Sequence, residues 1–337
     1  MNRVAVVVAV IALAACEDGD ALDCPTSTGN AVSFDTDAPP CRELSSYRFF
    51  SNGPTQVANA GVVGYTLNTP LFSDYSDKRR FIWLPPGTAM TYREGQAFGF
   101  PVGAVILKTF SYPERLLETR LLAHRSDGWR GYTYVWNEEQ TEAIYTVPGA
   151  VIDTERGRYL VPNLNECKQC HQEDGEQSTP LGPKARHLNQ PGQLSSLVGA
   201  GLLDDAPLSF EDAPRAAVWN DPSTGTIDAR ARAYLDINCA HCHNPSGRAG
   251  ATEIDLRASQ LNPRDIGVCK TPTAAGLGSG GREYAIVPGA PDDSFMVYRL
   301  ESDVANIRMP ELGRGLVHTE AVTLIRDWIS QMNGACE

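Results

Sequence analysis

Hydrophobic and polar positions change rhythm four times along the chain. Twelve apolar residues run without a break over 4–15, after a short positive start at Met1–Arg3. Spanning about 30 Å of hydrocarbon takes around 20 residues, so this run predicts a secretion leader over 1–15 and not a membrane helix. Residues 16–42 are rich in Asp, Pro, Ser and Thr, lack periodicity, and read as a tether. Short apolar or alternating runs follow at 81–84, 104–110, 116–125, 129–136 and 143–147, divided by turn signals such as Pro85-Pro86-Gly87. They predict strands and, together, an antiparallel β-sandwich-like or open-barrel region over 43–162. Residues 163–226 are loosely patterned, with modest helical signal at 193–203. Over 227–337 the period becomes helical: 229–238, 291–300 and 319–332, the last capped by Thr319 and carrying Ala321, Val322, Ile325 and Ile329 on one face. The expected fold is therefore multidomain, β-rich first and mainly α afterwards. Trp83, Trp129, Trp136, Tyr132 and Tyr134 read as core and cross-strand packing in preference to a binding surface.

Composition narrows the function. With 337 residues, 42% hydrophobic and 21% charged, the chain has ample material for packed cores. Its 29 Lys and Arg face 41 Asp and Glu, a net charge of −12 spread over the whole length, which removes the electrostatic basis for a nucleic-acid partner. Leu13-Ala14-Ala15-Cys16 resembles a bacterial lipoprotein cleavage box. That resemblance implies that Cys16 becomes the lipidated first residue, that the chain is secreted across the inner membrane, and that it stays periplasmic or anchored to the outer membrane through the lipid. No later stretch is apolar enough to be a span.

Nine cysteines divide by their spacing. Cys167-Lys168-Gln169-Cys170-His171 and Cys239-Ala240-His241-Cys242-His243 are two copies of C-x-x-C-H, the attachment pattern for c-type haem. Thiols at that spacing each form a thioether to one vinyl group of a porphyrin, and the adjacent histidine reaches the iron. The expectation is two covalently attached haem c groups on Cys167, Cys170, Cys239 and Cys242, with His171 and His243 as iron ligands. A zinc site built from both C-x-x-C pairs would already have four thiolates and leave the two histidines unexplained. A redox disulfide of the thioredoxin type would need a βαβ context that the pattern lacks. Cys24, Cys41, Cys269 and Cys336 remain, and four thiols allow three pairings. The most economical joins Cys24 to Cys41 and Cys269 to Cys336.

The last 110 residues or so resemble a class I cytochrome c domain: a helix running into Cys239-Ala240-His241-Cys242-His243, a Met309-Pro310 loop, and a closing helix with Trp328. The resemblance implies that His243 and Met309 are the axial ligands of the second haem. The whole chain is also similar to an uncharacterised family of secreted bacterial dihaem c-type cytochromes, on Ser73-Asp74-Tyr75, Phe100-Pro101-Val102-Gly103, Gly182-Pro183-Lys184-Ala185-Arg186 and both haem motifs.

For the first haem the sixth ligand is open. Met296 and Met332 fit helices of the last region, His124 falls on a strand, His241 sits inside the second motif, and His318 precedes the terminal helix. His187, sixteen residues after His171, is the favoured candidate, and an open iron is the alternative. Two closed haems make a two-step electron relay between a redox protein donor and acceptor, whose basic docking patches the acidic surface would steer. An open first haem makes a peroxidase-like oxidoreductase instead. A third expectation makes the β region a ligand-binding module whose occupancy a haem reports. No Ser/His/Asp arrangement or phosphate-cradling Gly loop nominates hydrolytic chemistry.

Overall fold

The computed structural model describes residues 21–24, 29–173, 177–273 and 276–337. The leader and the lipidation candidate Cys16 lie outside the described residues. Among the described residues no helix is long and apolar enough to cross a membrane.

The alternating runs form one antiparallel sheet of eight strands: β1 (Val62–Tyr65), β2 (Asp77–Trp83), β3 (Val105–Tyr112), β4 (Arg115–Arg125), β5 (Gly128–Trp136), β6 (Ala143–Tyr145), β7 (Gln172–Glu173) and β8 (Gln177–Ser178). They lie in the order β7-β8-β5-β4-β3-β2-β1, and β6 pairs with the far end of β5. Because side chains alternate across a sheet, the register sorts them into two faces. Leu107, Leu121 and Tyr132 stand opposite one another across β3, β4 and β5, and with Phe81, Trp83, Tyr134 and Trp136 they make the first core. Trp129 lies outside this core but packs across the strands as expected, stacked at 4.6 Å on its register partner His124, and it also lines a cavity. Among the described residues no second large sheet covers the first core, as a sandwich would have. Leu44, Tyr47 and Phe49 cover it, from the single turn Leu44–Tyr47 and the chain just after it. The segment before β1 has too few alternating residues for a long strand but carries large aromatics that fill the same space.

The opposite face meets the segment after the sheet. Ile82, Leu84, Met90, Phe98 and Ala104 share a core with Ala185, Leu188, Leu194, Leu197 and Leu203. The last five come from α2 (Ala185–Leu188), α3 (Gln193–Gly199) and the short strand Leu203–Asp204. The helix α1 (Leu164–His171) precedes them and buries no residue of its own. The boundary expected at 162/163 therefore runs through a shared hydrophobic core, and β7 and β8 extend the sheet from beyond it.

The third part is helical. In α4 (Ile227–Asn238) the Thr226 hydroxyl caps the amide of Ala229 at 3.2 Å. The helices α5 (Phe295–Glu301) and α6 (Thr319–Ser330) follow. Ala321, Val322, Leu324, Ile325, Trp328 and Ile329 are the buried stripe of α6 and pack against Tyr234 and Leu235 of α4. Trp328 Nε1 also donates to Asp228 at 2.8 Å. The cap of α6 falls on His318, whose side chain makes no capping bond, so Thr319 is the first helical residue and not the cap. Disulfides join Cys24 to Cys41 and Cys269 to Cys336, the expected pairing.

A latch holds the helical part to the sheet. Asp74, 5% exposed, accepts the amides of Gly315 at 2.7 Å and Leu316 at 2.8 Å, while its own carbonyl accepts Tyr112 Oη at 2.8 Å. Beside it Phe72 stacks on His318 at 4.1 Å, and Tyr75 Oη donates to Glu320 at 2.8 Å. Replacing Asp74 with Ala leaves these two amides without their acceptor. We expect a loss of about 3 kcal/mol of stability, read as a lower denaturation midpoint, with Asp74→Asn intermediate.

Candidate functional site

The two C-x-x-C-H motifs meet. The first occupies the last turns of α1, where Asn163 and Glu166 exchange side-chain bonds with each other's backbone amides at 3.0 and 2.9 Å and so start the helix. The second follows directly from the C-terminus of α4. Ligand atoms of Cys170, His241 and Cys242 all lie within 4.8 Å of one another. Gln169, inside the first motif, accepts a hydrogen bond from Arg248, just past the second.

All four motif cysteines are free thiols and half-buried, in a chain whose other described pairs are oxidised. A hydrogen bond to Cys242, reinforced by burial, pushes the Cys170 thiol up to about 12, and burial does the same to Cys239. Burial also raises Cys167, whereas the bond from Cys170 lowers Cys242. Three of the four are therefore protonated at neutral pH and lack the thiolate that a nucleophilic cysteine needs.

Both motif histidines are neutral at neutral pH, because burial brings each down to about 4. His171 Nδ1 lies 3.0 Å from the Thr179 carbonyl and donates to it, which leaves the Nε2 lone pair free. His243 Nδ1 is 3.5 Å from Thr252 Oγ1, and its carbonyl accepts the amide of Leu256 at 2.9 Å. A neutral imidazole oriented through its other nitrogen suits an iron ligand.

Next to the first motif is a cavity of about 1450 Å³. Ordinary small-molecule sites occupy roughly 300–1,000 Å³, so the space fits a macrocycle-sized group. Cys167, Cys170, His171, His187 and His241 line it on one side, Tyr65, Arg80, Lys108, Arg120 and Trp129 of the sheet on another, and Arg308, Pro310 and Arg314 close it. The free thiols, the free histidine nitrogen and the size of this space fit the haem group implied by the first motif.

His187, the favoured sixth ligand, also lines this cavity. It is buried, and its Nε2 lies 2.8 Å from Asp236 Oδ2, with Arg186 at 3.5 Å from the same oxygen. Burial would raise the Asp236 carboxyl, but the bond and charge of His187 outweigh it and hold that carboxyl well below the usual range. The Nε2 of His187 is therefore engaged, and Nδ1 is the ring nitrogen left for another partner. His241 is the contrast: its Nδ1 is buried with no hydrogen-bond partner among the described residues. Met90 is fully buried in the core shared by the sheet and α3.

Met309 lies in the loop between α5 and α6, half-buried and followed by a cis peptide to Pro310. Arg314 holds this loop. Its Nε donates to the Met309 carbonyl at 3.0 Å, and its Nη2 to the carbonyls of Arg299, Leu300 and Ser302 at 3.2, 3.2 and 2.9 Å. The sequence carried no specific signal for it: Gly313 and Gly315 mark a loop but do not say what the guanidinium between them binds. Replacing Arg314 with Met should free residues 308–316 while the rest of the chain stays folded. Hydrogen exchange in that loop should speed up, with a stability loss of about 3 kcal/mol.

No protein-family model matches this chain, and no curated protein or solved structure matches it.

Proposed function

We propose that the protein is a dihaem c-type cytochrome that passes electrons between redox proteins on the periplasmic side of a bacterial membrane, tethered by a lipid on Cys16. The observation that carries this reading is the contact between the two attachment motifs, Cys170 with His241 and Cys242. A relay needs its two centres side by side, and here residues more than seventy positions apart in sequence are brought together by the latch and the shared cores. Bound haem would supply one-electron chemistry at these positions. The chain's own part is attachment through Cys167, Cys170, Cys239 and Cys242, ligation by His171 and His243, and closure of the second site by the Met309 loop. The neutral imidazoles and the Thr179 carbonyl support that assignment. The net negative charge suits partners with basic docking patches.

One observation favours a second reading. Two sulfurs and an imidazole nitrogen within 4.8 Å are also three ligands for a transition metal, an arrangement that leaves one tetrahedral position open. Haem attachment consumes both sulfurs as thioethers, so the two readings exclude each other.

The test is intact mass and a pyridine haemochrome assay on protein matured in a host with haem-attachment machinery. The expected result is two haems per chain, one after Cys242→Ala, and no stoichiometric zinc. A colourless chain with bound zinc gives the result to the second reading. In the loaded protein, Met309→Ala should make one haem accessible to carbon monoxide, and an unchanged spectrum removes Met309 from the ligand set. Cyanide or carbon monoxide binding to the unaltered protein would assign the first haem an open position and favour the oxidoreductase.

A further inference from the structure

The sheet face that looks into the cavity carries a row of cations. Arg80 on β2, Lys108 on β3 and Arg120 on β4 stand directly opposite one another in the strand register. Cross-strand neighbours of this kind have Cβ atoms about 5 Å apart, and like charges there are destabilising. All three line the cavity.

Among the described residues only Arg120 of the three has an acidic partner at salt-bridge distance. Arg120 forms a two-pronged ion pair with Glu118 at 2.7 and 2.6 Å, and Glu118, fully buried, also accepts Tyr159 Oη at 2.7 Å. Arg80 is 8% exposed; its Nη1 reaches the Lys78 carbonyl at 3.2 Å, and its Nη2 is buried without a partner among the described residues. Its neighbour in the register on the other side is Tyr65, whose phenol burial pushes up to about 12, so it is no counter-ion. The Lys108 ammonium lies 4.7 Å from the centroid of the Phe110 ring. Burial, together with Arg80 and Arg120, drives its pKa well below the ordinary lysine value. The other carboxylate facing the cavity from this part of the sheet, Asp74, is engaged by the amides of Gly315 and Leu316.

Cations set side by side along a cavity wall, one of them buried with an unfilled donor, are costly unless something anionic lies on them. We propose that Arg80 and Lys108 form a carboxylate-binding floor for the group held in the cavity. Carboxylates can come from the propionates of a haem attached at Cys167 and Cys170, or from a free small acid entering the same space. The sheet is then the second half of the first haem's pocket, and not an independent binding module. The propionate source rests on the haem reading; the floor itself does not.

The test uses Lys108→Met and Arg80→Met singly in the mature chain, with Arg79→Gln as control. Arg79 is an exposed cation on the opposite face of the same strand. Removing one of a repelling row should not impair folding. If propionates lie on the floor, each variant lowers the midpoint potential of one haem, since loss of nearby positive charge favours the ferric state. The propionate modes of its resonance Raman spectrum also shift, and the control changes neither. If a free acid lies there, millimolar succinate raises the thermal midpoint of the unaltered protein and not that of Lys108→Met. No change in potential, Raman bands or succinate response overturns the proposal. A chain matured with haem-attachment machinery that carries no haem, yet responds to succinate through Lys108, overturns the haem reading and keeps the floor.

Discussion

The carboxylate of Asp74, in the turn that leads into β2, takes hold of two backbone amides in the loop before the last helix. Few contacts in the chain connect parts so remote in sequence, and several others gather around it: Phe72 on His318, Tyr75 on Glu320, and Phe72's amide on Asn238. A buried carboxylate that accepts two backbone donors makes charge-assisted bonds stronger than neutral ones. It fixes where the helical part lies on the sheet, and with that, which side chains of the two motifs meet. The cavity is a product of this docking, since one wall comes from strands and another from Arg308 to Arg314.

The sheet has two characters. One face is an ordinary apolar core with Trp136 Nε1 bonded to Thr119 and Tyr134 Oη to the Cys41 carbonyl. The other is divided: near Ile82 it packs against α2 and α3, and near Lys108 it opens on the cavity. A buried strand that gives up one face to charges loses hydrophobic stabilisation there, so the aromatic density of the opposite face has a structural purpose.

Strand positions were legible wherever apolar runs alternated cleanly. The runs at 104–110, 116–125 and 129–136 correspond to β3, β4 and β5 within a residue or two at most ends. The covering layer was not legible, because Phe34, Tyr47 and Phe49 lie in irregular chain whose burial depends on contacts distant in sequence. At the site, the motif cysteines and histidines were readable from spacing alone. The pairing of His187 with Asp236 was not, since the partners are 49 residues apart on different elements. The cation row left a trace that periodicity passed over: Arg80, Lys108 and Arg120 each interrupt a strand at the same register position, where an apolar core face would carry none. The segments noted for family resemblance acquire physical roles here. Ser73-Asp74-Tyr75 is the latch, the carbonyls of Phe100 and Pro101 receive His124 Nδ1, and Arg186 braces Asp236.

The touching thiols of Cys170 and Cys242 also bear on the order of events in the life of the chain. In an oxidising compartment, sulfurs held in contact are partners for a wrong cross-link, and once joined they can accept nothing else. Under the proposed attachment each sulfur is claimed separately, and that step would have to come before any such cross-link. Proximity in the folded chain would then set a deadline on whatever is to be installed at these residues.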